Sequence, residues 1–141
     1  MFARRIGENM NSSNWYQRLM KPKWAPPSWL FGPVWAILYI VIAVTFGAVF
    51  INAAVGVIPA MICIPFILNL VFNAAFTPLQ FVLRSNLLAF IDIVLVLISL
   101  IVSLVVIFPY TSWITLANIP YLFWVSFATI LQLTITILNW N

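Results

Sequence analysis

The chain has 141 residues, enough for one domain. It is 65% hydrophobic and only 6% charged, with a mean hydropathy of +1.15, whereas soluble domains carry about 25% charged residues. That composition cannot cover a water-facing surface, and a net charge of +4 from six basic residues, most of them in one short stretch, excludes a nucleic-acid binder.

In chain order, residues 1–28 form a polar, basic segment and a loop rich in tryptophan and proline. Arg4 and Arg5 are not followed by an apolar core, so this is not a signal peptide. The run Lys21-Pro22-Lys23-Trp24-Ala25-Pro26-Pro27 cannot form a regular helix, because proline lacks the N–H and its ring clashes with the preceding turn. Two readings of its aromatics stand: an interfacial belt at headgroup level, or a lid over the mouth of a bundle.

Residues 29–141 read as a transmembrane helical bundle in a single domain. Spans of about 20 apolar residues are needed, and four fit: 29–51, 57–82, 87–108 and 113–138. A membrane barrel would alternate every other residue in runs of about ten; these runs are continuous and longer, so the fold class is all-α, multi-span. Short joints make neighbours antiparallel. All six Lys and Arg then fall on the side of the N-terminal segment and C-terminus, which the positive-inside rule places in the cytoplasm. Pro59, Pro65 and Pro78 predict a kinked second span.

Polar residues inside the spans follow helical spacing. Asn69, Asn73, Phe76 and Gln80 share one face of the second span. Asp92, Ser99 and Ser103 share one of the third, and Asn118, Tyr121, Val125, Ala128, Gln132 and Asn139 trace one on the fourth. Trp35 and Tyr39 lie one turn apart on the first. Such stripes face one another, not lipid. They make either interhelical hydrogen bonds or an aromatic pocket for a flat, largely apolar ligand with polar edges. Asp92 is the one acid within a span and a functional candidate on that ground; the competing readings are a bond to Asn or Ser on a facing helix, or a pair with Arg84.

Histidine is absent, which removes the commonest metal ligand and general base, and Cys63 is a lone cysteine in an apolar run. No metal site and no resident cofactor are expected.

Several runs carry a family resemblance. Trp15 to Pro27 resembles the signature W-Y-x-x-L-x-K-P-x-W-x-P-P of the tryptophan-rich sensory protein / translocator protein family (TspO/MBR). Trp35 and Tyr39, the run Asn73 to Phe81, the run Ala89 to Asp92, Pro120 to Trp124, and Phe127 to Thr129 resemble its later motifs. Phe76 stands where the family usually has Trp, and Gln80 where Phe is common. Family members have five helices, the first preceding the W-Y pair. Here 14 mostly polar residues precede Trp15, so four helices are expected, through loss of the first helix or a late start of the chain.

The resemblance implies a porphyrin-binding sensor or translocator with a pocket opening toward the W/P loop. It implies ligand contacts at Trp35, Asn73, Phe76, Tyr121, Trp124 and Ala128, with Trp24, Pro26 and Pro27 in the lid. The residues' own spacing adds Tyr39, Gln80 and Asp92 to the candidates. Porphyrin enters as ligand, not cofactor; the other expected partners are the lipid bilayer and a possible second copy of the chain. Two alternatives differ in class. One is light-dependent porphyrin breakdown, with Trp35 and Trp124 as the redox-active indoles; an ordinary enzyme lacks its usual parts here. The other is a structural or partner-binding membrane protein with an unused pocket.

Overall fold

The computed structural model describes Leu19 and residues 22–139; the side chains of Ser28, Gln80 and Phe81 lie outside that description. Trp15, Tyr16, Arg18 and Lys21 of the first motif fall outside it too.

A 3₁₀ turn, Ser28–Leu30, leads into α1, Phe31–Ala54. A second 3₁₀ turn, Ala60–Ile62, opens α2, Cys63–Thr77, which runs on into a π turn, Pro78–Val82. Then come α3, Asn86–Ile107, a short α4, Ser112–Ala117, and α5, Ile119–Leu138. Among the described residues four helical segments are long and apolar enough to cross a membrane: α1, α2 taken with its 3₁₀ turn (Ala60–Thr77), α3 and α5. The loop 22–30, the joint 83–85 and the end of α5 share one end of the bundle, called the near end below.

The irregularity expected of the second span falls at its third proline, Pro78. Pro59 precedes the 3₁₀ turn, and Pro65 sits in the first turn of α2, directly after it. Pro78 is the one that acts: after it the ladder widens, with Leu83 N–H donating to the Pro78 carbonyl at 2.9 Å. The turn closes with Arg84 in the left-handed region (φ 52°) and Ser85 capping α3. The Ser85 hydroxyl accepts from Leu88 N–H at 3.1 Å. Ser85→Ala should cost about 1 kcal/mol, read as a lower midpoint in mixed-micelle unfolding with unchanged helix content.

The fourth span, expected to be continuous, is divided at Asn118. Pro120 cannot donate and its ring crowds the Leu116 carbonyl, so one helix ends and another starts. Asn118 mends the junction: its amide donates to the Ile114 carbonyl at 2.8 Å and to the Thr45 hydroxyl on α1 at 3.0 Å. At the other far-end joint, Gly56 takes φ +85°, a backbone that glycine adopts without strain.

The core runs along α3, whose inner face (Ile93, Val96, Leu100, Leu104, Ile107) packs against α2 on one side and α5 on the other. Its helix is buried on two flanks because its apolar residues occupy more than one stripe. α1 docks by a narrower stripe, Leu38, Ile42, Thr45, Phe46 and Val49, at helical spacing. The Phe46 ring meets Phe66 of α2 edge-on at 4.8 Å. Its remaining surface (Ile37, Ile40, Val44, Ile51) is exposed, as suits a lipid-facing helix.

Candidate functional site

The amide stripe of α2 is tied into one network. Tyr121 of α5 is fully buried, and its hydroxyl accepts from the Asn73 amide at 2.7 Å while donating to the Asn69 carbonyl oxygen at 2.9 Å. The Asn69 amide in turn donates to the Val96 carbonyl at 3.0 Å and the Ser99 hydroxyl at 3.2 Å on α3. Ser103 donates back to the Ser99 carbonyl at 2.7 Å. Three helices are thus joined through one phenol, because only Tyr combines a ring that fills the core with a group that both accepts and donates.

Nearer the loop, Gln132 and Thr136 of α5 both donate to the Asn86 carbonyl at the start of α3, at 3.2 and 3.1 Å. Asp92 lies between the two clusters and joins neither. It is 5% exposed, its Oδ2 is enclosed, and no hydrogen bond or ion pair reaches the carboxyl among the described residues. The expected bond to a facing Asn or Ser is therefore not made, because Asn69, Asn73 and Ser99 satisfy one another and Tyr121. Nor does Arg84 pair with it: the left-handed turn ahead of Ser85 places that residue in the joint, before α3 begins.

Aromatic residues form a seam between α1 and α5. Trp35 meets the Tyr121 ring edge-on at 6.4 Å, and one turn earlier Phe31 meets Trp124 edge-on at 5.8 Å. Trp124 also lies against Phe127 at 5.5 Å, and its indole N–H is enclosed without a partner among the described residues. From the loop, Trp24 meets Phe127 edge-on at 5.7 Å. Leu19, Ala25 and Phe31 pack on Leu131 and Ile135. The loop therefore lies along the near half of α5. Trp24 is half-exposed and Trp29 is 70% exposed, so the same stretch has the contacts of a lid and the outward ring of a belt.

The candidates separate by position. Trp35, Asn73, Tyr121 and Trp124 converge on the α1–α5 seam and its backing network. Phe76 and Ala128 are half-buried against the same core. Tyr39 stacks on Trp35 at 5.4 Å, yet is more than half exposed, so its ring faces outward. Gln80 lies in the π turn, its side chain undescribed. Pro26 is half-buried and Pro27 exposed.

One feature was not anticipated from the sequence: an apolar groove of about 450 Å³ lined by Ile119, Leu122, Phe123, Ser126, Phe127 and Ile130. These residues repeat at helical spacing on the face of α5 turned away from the polar stripe. That apolar periodicity was the available signal. The Ser126 hydroxyl is spent on the Leu122 carbonyl at 2.9 Å, so the groove makes no polar demand.

Comparison with known proteins agrees with this architecture. Residues 2–138 match the TspO/MBR family. The chain is 37% identical over 132 residues to "Tryptophan-rich protein TspO" of Chlorobaculum tepidum, covering 91% of this chain and 81% of that protein. It is 35% identical over 126 residues to "Uncharacterized membrane protein YtaB" of Bacillus subtilis, covering 89% and 80%. It is 31% identical over 121 residues to the human "Translocator protein", covering 84% and 70%. With a bundle of apolar spans, a tryptophan-bearing loop laid on the last helix, and a match across nearly its whole length, this integral, multi-pass membrane protein belongs to the TspO/MBR family.

Proposed function

We propose that this protein binds a flat aromatic tetrapyrrole, a protoporphyrin-like ring, between α1 and α5 beneath the W/P loop. One observation carries the reading: two indoles, Trp35 and Trp124, sit on one seam with aromatic neighbours, and the Trp124 N–H has no partner among the described residues. Indole faces stack on a planar ring, and an enclosed N–H is a donor held for a polar edge of the ligand. The seam is packed in this structure, so entry requires the loop and the rings of Trp24 and Phe31 to move off α5. Sensing or carriage is the role that fits a site built of packing and hydrogen bonds without an acid–base pair. The charge pattern further supports a cytoplasmic placement of the loop and of the C-terminus.

Titration of the detergent-solubilised protein with protoporphyrin IX, followed by tryptophan fluorescence, tests this. Saturable quenching is expected, weakened about fivefold in Trp35→Phe and in Trp124→Phe, since an aromatic contact and an N–H bond each contribute about 1 kcal/mol. Linear, unsaturable quenching that neither change affects would reject the site. Light-dependent breakdown of the ring is the second reading, favoured by the placement of both oxidisable indoles on that seam. It fails if the illuminated product yield is the same in Trp35→Phe and Trp124→Phe as in the unaltered protein.

A further inference from the structure

We infer that Asp92 is the polar anchor of this site, its carboxyl accepting a hydrogen bond from an N–H group on a flat aromatic ligand. The inference rests on the pocket reading above only for the premise that such a ring enters the bundle.

Asp92 stands apart from the rest of the polar core. Asn69, Asn73, Ser99, Ser103, Tyr121, Gln132 and Thr136 all have partners. Asp92 has none among the described residues and is nineteen-twentieths buried. A polar group so placed is costly unless something bonds it. The two basic residues among those described do not supply the partner: Lys23 is exposed in the loop and Arg84 lies in the joint, and neither pairs with it. A ligand entering the bundle beside Asp92 would supply that donor.

Its depth fits that role. α3 and α5 are in register where the Asn86 carbonyl meets Gln132 and Thr136. About six residues further along α3, roughly 9 Å at the helical rise, Asp92 comes level with Ala128, the smallest side chain on that stretch of α5. Against α2, the bond from Asn69 to Val96 sets Asp92 level with the stretch from Asn73 to Phe76. The carboxyl therefore shares a layer with Asn73, Phe76 and Ala128 at the near end, one turn from Trp124. Protonated or ionised, a carboxyl keeps acceptor capacity, so the ligand class is a planar heteroaromatic bearing an N–H.

Carbazole and dibenzofuran form the probe pair, being alike in shape and differing in N–H against oxygen. Their binding is measured by equilibrium dialysis to the protein in lipid nanodiscs, with empty nanodiscs subtracted. The unaltered protein should prefer carbazole by about tenfold or more. Asp92→Asn, which keeps a carbonyl acceptor, should retain part of that preference, and Asp92→Val should reduce it to within about twofold. Because the native carboxyl has no partner, Asp92→Val should also keep or raise the thermal midpoint; a purely structural carboxyl would lower it. Equal binding of the two probes, no binding of either, a preference that survives in Asp92→Val, or a lowered midpoint in that variant would each overturn the inference. Protoporphyrin IX quenching on the same samples separates the two readings: saturable quenching without a carbazole preference sinks the Asp92 role alone, and the converse sinks the tetrapyrrole reading alone.

Discussion

Tyr121→Ala should destabilise the bundle by about 4 kcal/mol, and Tyr121→Phe by only about 1–2 kcal/mol, in reversible unfolding from mixed micelles. The larger figure is the usual cost of emptying a buried aromatic position. Tyr121 is fully buried against Val125 and the α3 core and takes Trp35 against its ring edge, so the vacated volume has few ways to collapse. The smaller figure concerns the hydroxyl alone. Its removal leaves the Asn73 amide and the Asn69 oxygen each short of one bond. Interhelical bonds in membranes average about 0.6 kcal/mol, with a maximum near 1.7, so two of them cannot rival the ring. If Phe proved as damaging as Ala, the hydrogen bonds and not the packing would hold α2, α3 and α5 together.

The second large effect is expected on α1. Phe46→Ala should cost about 3–5 kcal/mol, and the loss should concentrate in one helix. α1 docks through a single stripe, and Phe46 is its most enclosed ring, set edge-on to Phe66. Hydrogen exchange in the variant should rise along residues 36–50 while α3 stays protected, because local opening follows local contact density. Phe66→Ala alone should cost a similar amount. The double variant should fall short of the sum by about 1 kcal/mol, the coupling typical of an aromatic pair. Strict additivity would mean that the two rings stabilise separate parts of the bundle.

These outcomes also bear on the proposed tetrapyrrole site, since α1 carries Trp35 and Phe31. An α1 that loosens independently of the α2–α3–α5 unit gives a flat ring a route between Trp35 and Trp124. Phe46→Ala is then expected to speed ligand association measured by stopped-flow quenching, even as it lowers stability.

The sequence by itself determined the number and type of the spans. Continuous apolar runs of membrane-crossing length leave the backbone no option but to bond within helices. It also determined which face of α2, α3 and α5 turns inward, because Asn69, Asn73, Asp92, Ser99, Ser103 and Tyr121 fall at helical spacing and cannot face lipid. The break at Asn118 was legible in Pro120, though the apolar run on either side masked it. Partner choice was decided only by the tertiary structure. Asn69 had equal reason to bond Asp92 or Ser99 until the rotation of α2 against α3 set it by Val96 and Ser99. That rotation left Asp92 alone and made Tyr121 the hub. It follows from how side chains of different size interlock along three helices at once, information that no single helix's periodicity contains.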